Sequence, residues 1–286
     1  MSAAARWKSA LARGTQWRYL LVFAVGTLCP SALAFAPSHH FFGELFDHST
    51  RAGELVARLD SSAFLEVMRQ LGEPAGAAMM PGITMALLTT LVVAPALTGA
   101  AAAIAQSEAP LTLSALLAGA GRLYLRMLRM MLVSLLPVGA AGGLGYALVH
   151  AVGKANAHAV LESSASRSST LAWVAVVLLV ALAQSTVETG RAYLAAEPEK
   201  RSAFKAWWRG VRLTVRRPAQ VLSIYAGTTV ASLLVAALLT ALRLHLFPAG
   251  AATIALGFLL AQVAVAAVGW GRASRLAGLV AIVREG

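Results

Sequence analysis

"KAWWRGVRLTVRRP", residues 205–218, sets two tryptophans among Lys205, Arg209, Arg212, Arg216 and Arg217, between two long stretches that carry almost no charge. In a soluble protein such a run would suggest a nucleic-acid surface. Placed on a helix, Arg201, Lys205, Arg209, Arg212 and Arg216 fall on one stripe about 80° wide, and Phe204, Trp207, Trp208, Val211 and Val215 form the adjoining face. A basic stripe beside an aromatic face suits a helix lying in a membrane interface, with rings at headgroup depth and guanidiniums on anionic lipid phosphates. Nothing in the sequence supplies a fold that would present these charges to nucleic acid. The expected partners of Lys205, Trp207, Trp208, Arg209, Arg212 and Arg216 are therefore anionic lipid headgroups on the cytoplasmic side.

The flanking stretches explain why. Hydrophobic residues make up 58% of the 286, charged residues only 13%, and mean hydropathy is +0.71. Soluble domains carry about a quarter charged residues. Apolar runs of the roughly 20 residues that cross a bilayer fall near 17–36, 77–105, 124–152, 170–192, 219–246 and 250–272. These predict an all-α, polytopic membrane protein with six transmembrane helices, a single membrane domain over 1–286. With both termini in the cytoplasm, 18 of the 24 Lys and Arg lie on the inner side and seven of the twelve acids lie outside. That asymmetry is the one that sets orientation in a bacterial inner membrane.

The chain also repeats itself. "SALARGTQWRYLL" from Ser9 aligns without gaps to "SALLAGAGRLYLRML" from Ser114, pairing Gly14 with Gly119 and Tyr19 with Tyr124. A third copy from Lys205 places Arg209-Gly210 where the first has Arg13-Gly14. Thr98-Gly99, Thr189-Gly190-Arg191-Ala192 and Gly271-Arg272-Ala273 close the even-numbered spans in similar words. Three parallel hairpins are expected, about 1–105, 106–196 and 197–286, each a short cytoplasmic helix, a span out, a loop and a span back. Read alone, span 1 with Ala32-Leu33-Ala34 resembles a cleaved secretory signal. The first hairpin needs that span, so its retention is expected.

Outside the spans, residues 37–75 form the longest loop, with helical spacing of apolar residues over 41–59 and 62–71. Two amphipathic helices capping the outer surface are predicted there. "ESSASRSS", 162–169, reads as a solvated loop. "GAAGGLG", 139–145, lies inside span 3 and reads as a close helix-packing face.

Two clusters could carry chemistry. Glu188 is the one acid placed within or at the edge of a span, with Gln184 and Arg191 beside it, and an ionisable group there suggests a function. The plainer reading is a structural pair, Glu188 with Arg191 at i, i+3, or with a basic residue entering a neighbouring span. His40, Glu44 and His48 are spaced i, i+4, i+8 on the outer side, a donor set suited to zinc or a related divalent ion, although Phe41, Phe42 and Phe46 equally suit an interfacial anchor. No phosphate-loop, nucleophile-elbow or H-E-x-x-H motif is present, and Cys29 is the single cysteine. Neither an enzyme nor a cofactor is expected.

"ARLDSSAFLEVM", "AGAGRLYLRMLRMMLVSLL" and "ETGRAYLAAEPEKRSAFKAWWRGVRLTVRRPAQVLSIY" together resemble a family of uncharacterised six-helix bacterial inner-membrane proteins. They are more distantly similar to the membrane domain of glycerophosphodiester phosphodiesterases. Where such proteins tend to carry an Asp three residues before the Arg that closes span 4, Glu188 stands before Arg191. The resemblance implies a fold and a compartment. It implies no phosphodiesterase chemistry, because no counterpart of the catalytic domain is found in this sequence. Two functions are compatible with these features. One is a non-enzymatic scaffold or accessory component of a membrane assembly with a membrane protein partner. The other is a small-solute or lipid carrier with a polar site near Glu188.

Overall fold

The computed structural model describes residues 3–46, 73–156, 162–197, 199, 202–246 and 250–285. Among them are eight helices: α1 (Ala3–Gly14), α2 (Trp17–Phe46), α3 (Glu73–Gln106), α4 (Leu113–Asn156), α5 (Glu162–Ala196), α6 (Ala203–Arg216), α7 (Pro218–Leu244) and α8 (Ala251–Arg284). Six of these, all but α1 and α6, are long and apolar enough to cross a membrane. The chain is a multi-pass, all-helical membrane protein, as its composition requires.

Helix breaks follow local chemistry. Arg217 leaves helical geometry at φ −131° and Pro218 opens α7 at a position where its missing N–H is harmless. That separates the short α6 from its span. Before span 3 no proline or turn interrupts the chain, so the expected short helix and the span are one 44-residue helix, α4, with its proline only at Pro137. At 1.5 Å per residue it is about 66 Å long, roughly twice the hydrocarbon thickness. The stretch 162–169 is also helical rather than a loop. Asn156, at the end of α4, donates to Ala165 O (3.1 Å) and Ser169 Oγ (3.0 Å) and accepts from Ser168 Oγ (2.8 Å), which fastens the first turns of α5 to α4.

Contacts divide the chain into two compact units, Met1–Phe23 with Pro95–Gly286, and Ala24–Ala94. In the smaller unit α2 passes through Pro30 and Pro37 without ending, and Gly82 of α3 lies so close that a Cβ there would stand 2.8 Å from Leu33 O. The predicted outer cap falls largely on residues outside those described, though α2 itself continues to Phe46.

The larger unit holds the core: Tyr19, Ile104, Leu123, Met130, Leu194 and Leu276 are among its fully buried side chains. α8 runs past the expected span end at 272 as far as Arg284, and Leu279, Val280 and Ile282 in that extension are buried. Gly14, Gly119 and Gly210, the glycines that the sequence aligns, each stand at a close helix approach. A Cβ at Gly14 would meet Trp270 O at 3.0 Å, one at Gly119 would meet Ala103 Cβ at 2.6 Å, and one at Gly210 would meet Thr186 O at 2.7 Å. So α1 packs on α8, the start of α4 on the end of α3, and α6 on the end of α5. Backbones approach this closely only where no side chain intervenes. Gly142, by contrast, has nothing within 4 Å. Gly210→Leu is expected to lower the stability of the purified protein by about 1–3 kcal/mol through overpacking, and Gly142→Leu to change it by less than about 0.5 kcal/mol. Thermal unfolding in detergent, followed by tryptophan fluorescence, distinguishes the two.

Candidate functional site

Glu188 sits three residues before Arg191 near the end of α5, a spacing that brings both side chains to one face. A buried carboxylate without partners is strongly disfavoured, and Glu188 is only 5% exposed. It is not alone. Its Oε1 accepts from Arg191 Nη1 at 2.8 Å and from Arg275 Nη2 at 3.5 Å. Arg275 also donates through Nη1 to Thr229 Oγ1 of α7 at 2.8 Å, and its Cζ lies 5.2 Å from the Tyr225 ring centre. Arg272, one turn earlier on α8, donates through Nη2 to Thr98 Oγ1 of α3 and stands within electrostatic reach of Glu188, Arg191 and Tyr19. The fully buried Tyr19 of α2 lies in the same field. Five helices therefore meet around one carboxylate and three guanidiniums.

Of the site residues expected from sequence, the structure joins Glu188 and Arg191. Gln184 is half-buried one turn away and makes no hydrogen bond among the described residues. Arg272, Arg275, Thr98, Thr229 and Tyr19 are additions. A signal for Arg272 was present, since Gly271-Arg272-Ala273 echoes Gly190-Arg191-Ala192. Nothing local marks Arg275, which reaches Glu188 only because α8 continues as a helix. The mid-span amide Gln262 has a buried Oε1 with no hydrogen-bond partner among the described residues and does not join this cluster.

The helix of the opening stretch has three faces rather than two. Ala203, Ala206, Gly210, Leu213 and Thr214 are buried against α5. Trp207 turns toward that side, its Nε1 donating to Thr186 Oγ1 at 3.2 Å. Trp208, Phe204 and Val215 remain exposed, as do Lys205, Arg209, Arg212 and Arg216. Arg209 additionally pairs with Glu197 at 2.8 Å, tying α6 to the end of α5. The sequence expectation missed the buried face because alanine, glycine and threonine carry little hydropathy signal.

On the outer side His40 is exposed on α2, whereas the Glu44 side chain and His48 lie outside the described residues. Among the described residues no three His, Cys, Asp or Glu side chains gather as a metal site. The packing face expected over 139–145 is used in part, at Ala141 and Gly145, which are buried. Gly145 approaches Val176 of α5, while a Cβ at Gly139, Gly142 or Gly143 would meet nothing within 4 Å beyond its own helix.

Comparison with known proteins finds no matching family model, no matching curated protein and no matching solved structure.

The arrangement around Glu188 acts as an electrostatic tie. Coulomb attraction at these distances is worth several kcal/mol per pair near a protein surface, about 4 kcal/mol at 4 Å, and removing one partner leaves the others buried without compensation. Glu188→Gln is expected to destabilise the protein by about 3–5 kcal/mol. The double variant Glu188→Gln/Arg191→Gln should lose less than the single one, because it removes an uncompensated guanidinium. Denaturation midpoints of the three proteins in the same detergent measure this.

Proposed function

We propose that this chain is a non-enzymatic component of a bacterial inner-membrane assembly, with both termini in the cytoplasm, and that α4 is the helix it offers to a membrane protein partner. The observation that carries the reading is the open face of α4. Gly139, Gly142 and Gly143 make a shallow groove near the middle of span 3, flanked by the exposed side chains Leu132, Leu135, Leu136 and Tyr146. Lipid tails are as apolar as leucine, so helices in a bilayer associate through close packing, and small residues between large ones are the shape that permits it.

Other features agree. Gly14 of α1 lies against Trp270 and Ser274 of α8, which puts the beginning and the end of the chain at one end of the bundle, where most arginines gather. The repeat units 1–105, 106–196 and 197–286 belong to the same reading, supported by the like placement of Gly14, Gly119 and Gly210. The charged cluster is a tie between helices at that end rather than a row of polar groups through several spans, which a coupled carrier would need. The resemblance to six-helix inner-membrane proteins points to this compartment also.

A photocrosslinking residue at position 142 in cells is expected to yield one discrete protein adduct. The same probe at Leu238, an exposed apolar position of α7, should label lipid only, and Gly139→Leu should remove the adduct at 142 without lowering protein abundance. If position 142 labels lipid only, while Glu188→Gln abolishes a solute or lipid flux at unchanged abundance, the chain is a carrier instead.

A further inference from the structure

Six basic residues at the arginine-rich end of the larger unit have identifiable acceptors among the described residues. Arg13 Nη1 donates to Ala105 O at 3.2 Å and Arg18 Nη1 to Leu111 O at 2.9 Å. Arg191 and Arg275 hold Glu188, Arg272 holds Thr98, and Arg209 holds Glu197. Arg122, Arg126 and Arg284 make no side-chain hydrogen bond or ion pair among the described residues, as is true also of Arg129, Lys205, Arg212 and Arg216, but these three alone of that group share one cavity.

These three line one cavity of about 330 Å³ with Gln106, Leu123, Ala195 and Ala196. Arg122 and Arg126 are one helical turn apart on the first part of α4, and Arg284 comes from the last turn of α8. Among the described residues no acid lines the space. A bland explanation is that the arginines neutralise the carbonyl ends of α3, α5 and α8, which converge here. Two of those ends already have a side-chain donor, however: Arg13 serves Ala105 O on α3, and Gln106 Nε2 serves Ala195 O on α5 at 2.7 Å. Arg122 and Arg284 are exposed and Arg126 is half-buried, so the cavity is open to solvent, and three like charges along its wall favour an anion there. An adjoining cavity of about 470 Å³ shares Gln106 and Arg122 and continues along Leu111, Ala115, Ala118 and Gly119. A basic, open cleft thus adjoins one lined mostly by small and apolar side chains.

We propose that Arg122, Arg126 and Arg284 form a binding site for a phosphate group. Guanidinium forks match the oxygens of a phosphate in geometry as well as charge, and basic pockets between membrane helices at the interface accept lipid headgroups. The phosphate has two sources, the phosphodiester of an anionic phospholipid seated with its glycerol end along Ala115 and Ala118, or a soluble phosphate from the aqueous phase. This site is separate from the exposed stripe of α6 and from the α4 glycine face, so it stands or falls without the partner reading.

The test uses the full-length protein, stripped of lipid in a neutral detergent and followed by thermal unfolding and native mass spectrometry. Short-chain phosphatidylglycerol, short-chain phosphatidylcholine, inorganic phosphate and chloride are titrated separately at constant ionic strength. Saturable binding of one phosphatidylglycerol per chain, with a raised unfolding midpoint and no comparable effect of phosphatidylcholine, assigns the phosphate to lipid. A midpoint raised by inorganic phosphate as strongly as by phosphatidylglycerol assigns it to a soluble anion. In either case Arg122→Gln/Arg126→Gln should weaken binding about tenfold or more while leaving the ligand-free midpoint within a few degrees. Arg284→Gln, on the last turn of the chain, gives the same reading if the double variant folds poorly. The proposal is overturned if neither phosphatidylglycerol nor inorganic phosphate binds more tightly than chloride and phosphatidylcholine, or if both variants bind as the parent does.

Discussion

A carboxylate can be buried in a bundle of apolar helices only if cations come with it, and here they come from two directions. Arg191 reaches Glu188 from one turn away on α5, while Arg275 reaches it from α8. That second contact requires α8 to run on beyond its membrane span. It also requires Thr229 and Tyr225 of α7 to hold the guanidinium in place. Arg272 extends the network to Thr98 of α3. Charge–charge attraction is long-ranged and weakly directional, but the hydrogen bonds that accompany it are not, so the cluster sets both the proximity and the register of these helix ends.

Around this tie, close approaches at glycines bring further helices together. Gly14, Gly119 and Gly210 bring α1, the start of α4 and α6 against the ends of α8, α3 and α5 respectively. Each of these contacts joins two separate helices, and the first joins helices at opposite ends of the chain, so the helix ends hold one another across the sequence. Apolar burial cannot supply this in a bilayer, where a leucine facing lipid is as well solvated as one facing a neighbour. Close packing and hydrogen bonding do so instead. The core is correspondingly richest at the arginine-rich end, while many large apolar side chains along the spans face outward.

The same physics separates two kinds of positive charge. Arginines whose neighbours include a carbonyl, a hydroxyl or a carboxylate stiffen the fold. Arg212 and Arg216 on the exposed stripe of α6, and the three around the cavity between α4, α5 and α8, have room for something that is not part of the chain. Net charge alone does not distinguish them, because both kinds contribute equally to the +12 of the whole sequence.

Sequence by itself determined the solvent and the spans. Six apolar runs can be satisfied only as membrane helices, and each lies within or nearly matches one observed helix, since backbone groups in hydrocarbon must bond within their own segment. It also marked Glu188 and Arg191, because an acid beside a span is conspicuous at any fold. Tertiary structure alone decided the rest. Arg275 and Tyr19 are far from Glu188 in the chain and join it only when α8 and α2 come alongside α5. The third face of α6 was illegible because alanine, glycine and threonine acquire meaning from the backbone that approaches them. The run Gly139–Gly145 was legible as a packing face, yet only the fold divides it into one glycine against Val176 and three that are open. Hydropathy is a property of one residue and its solvent, so a sequence displays it directly. Proximity is a property of pairs distant along the chain, and only the folded chain has it.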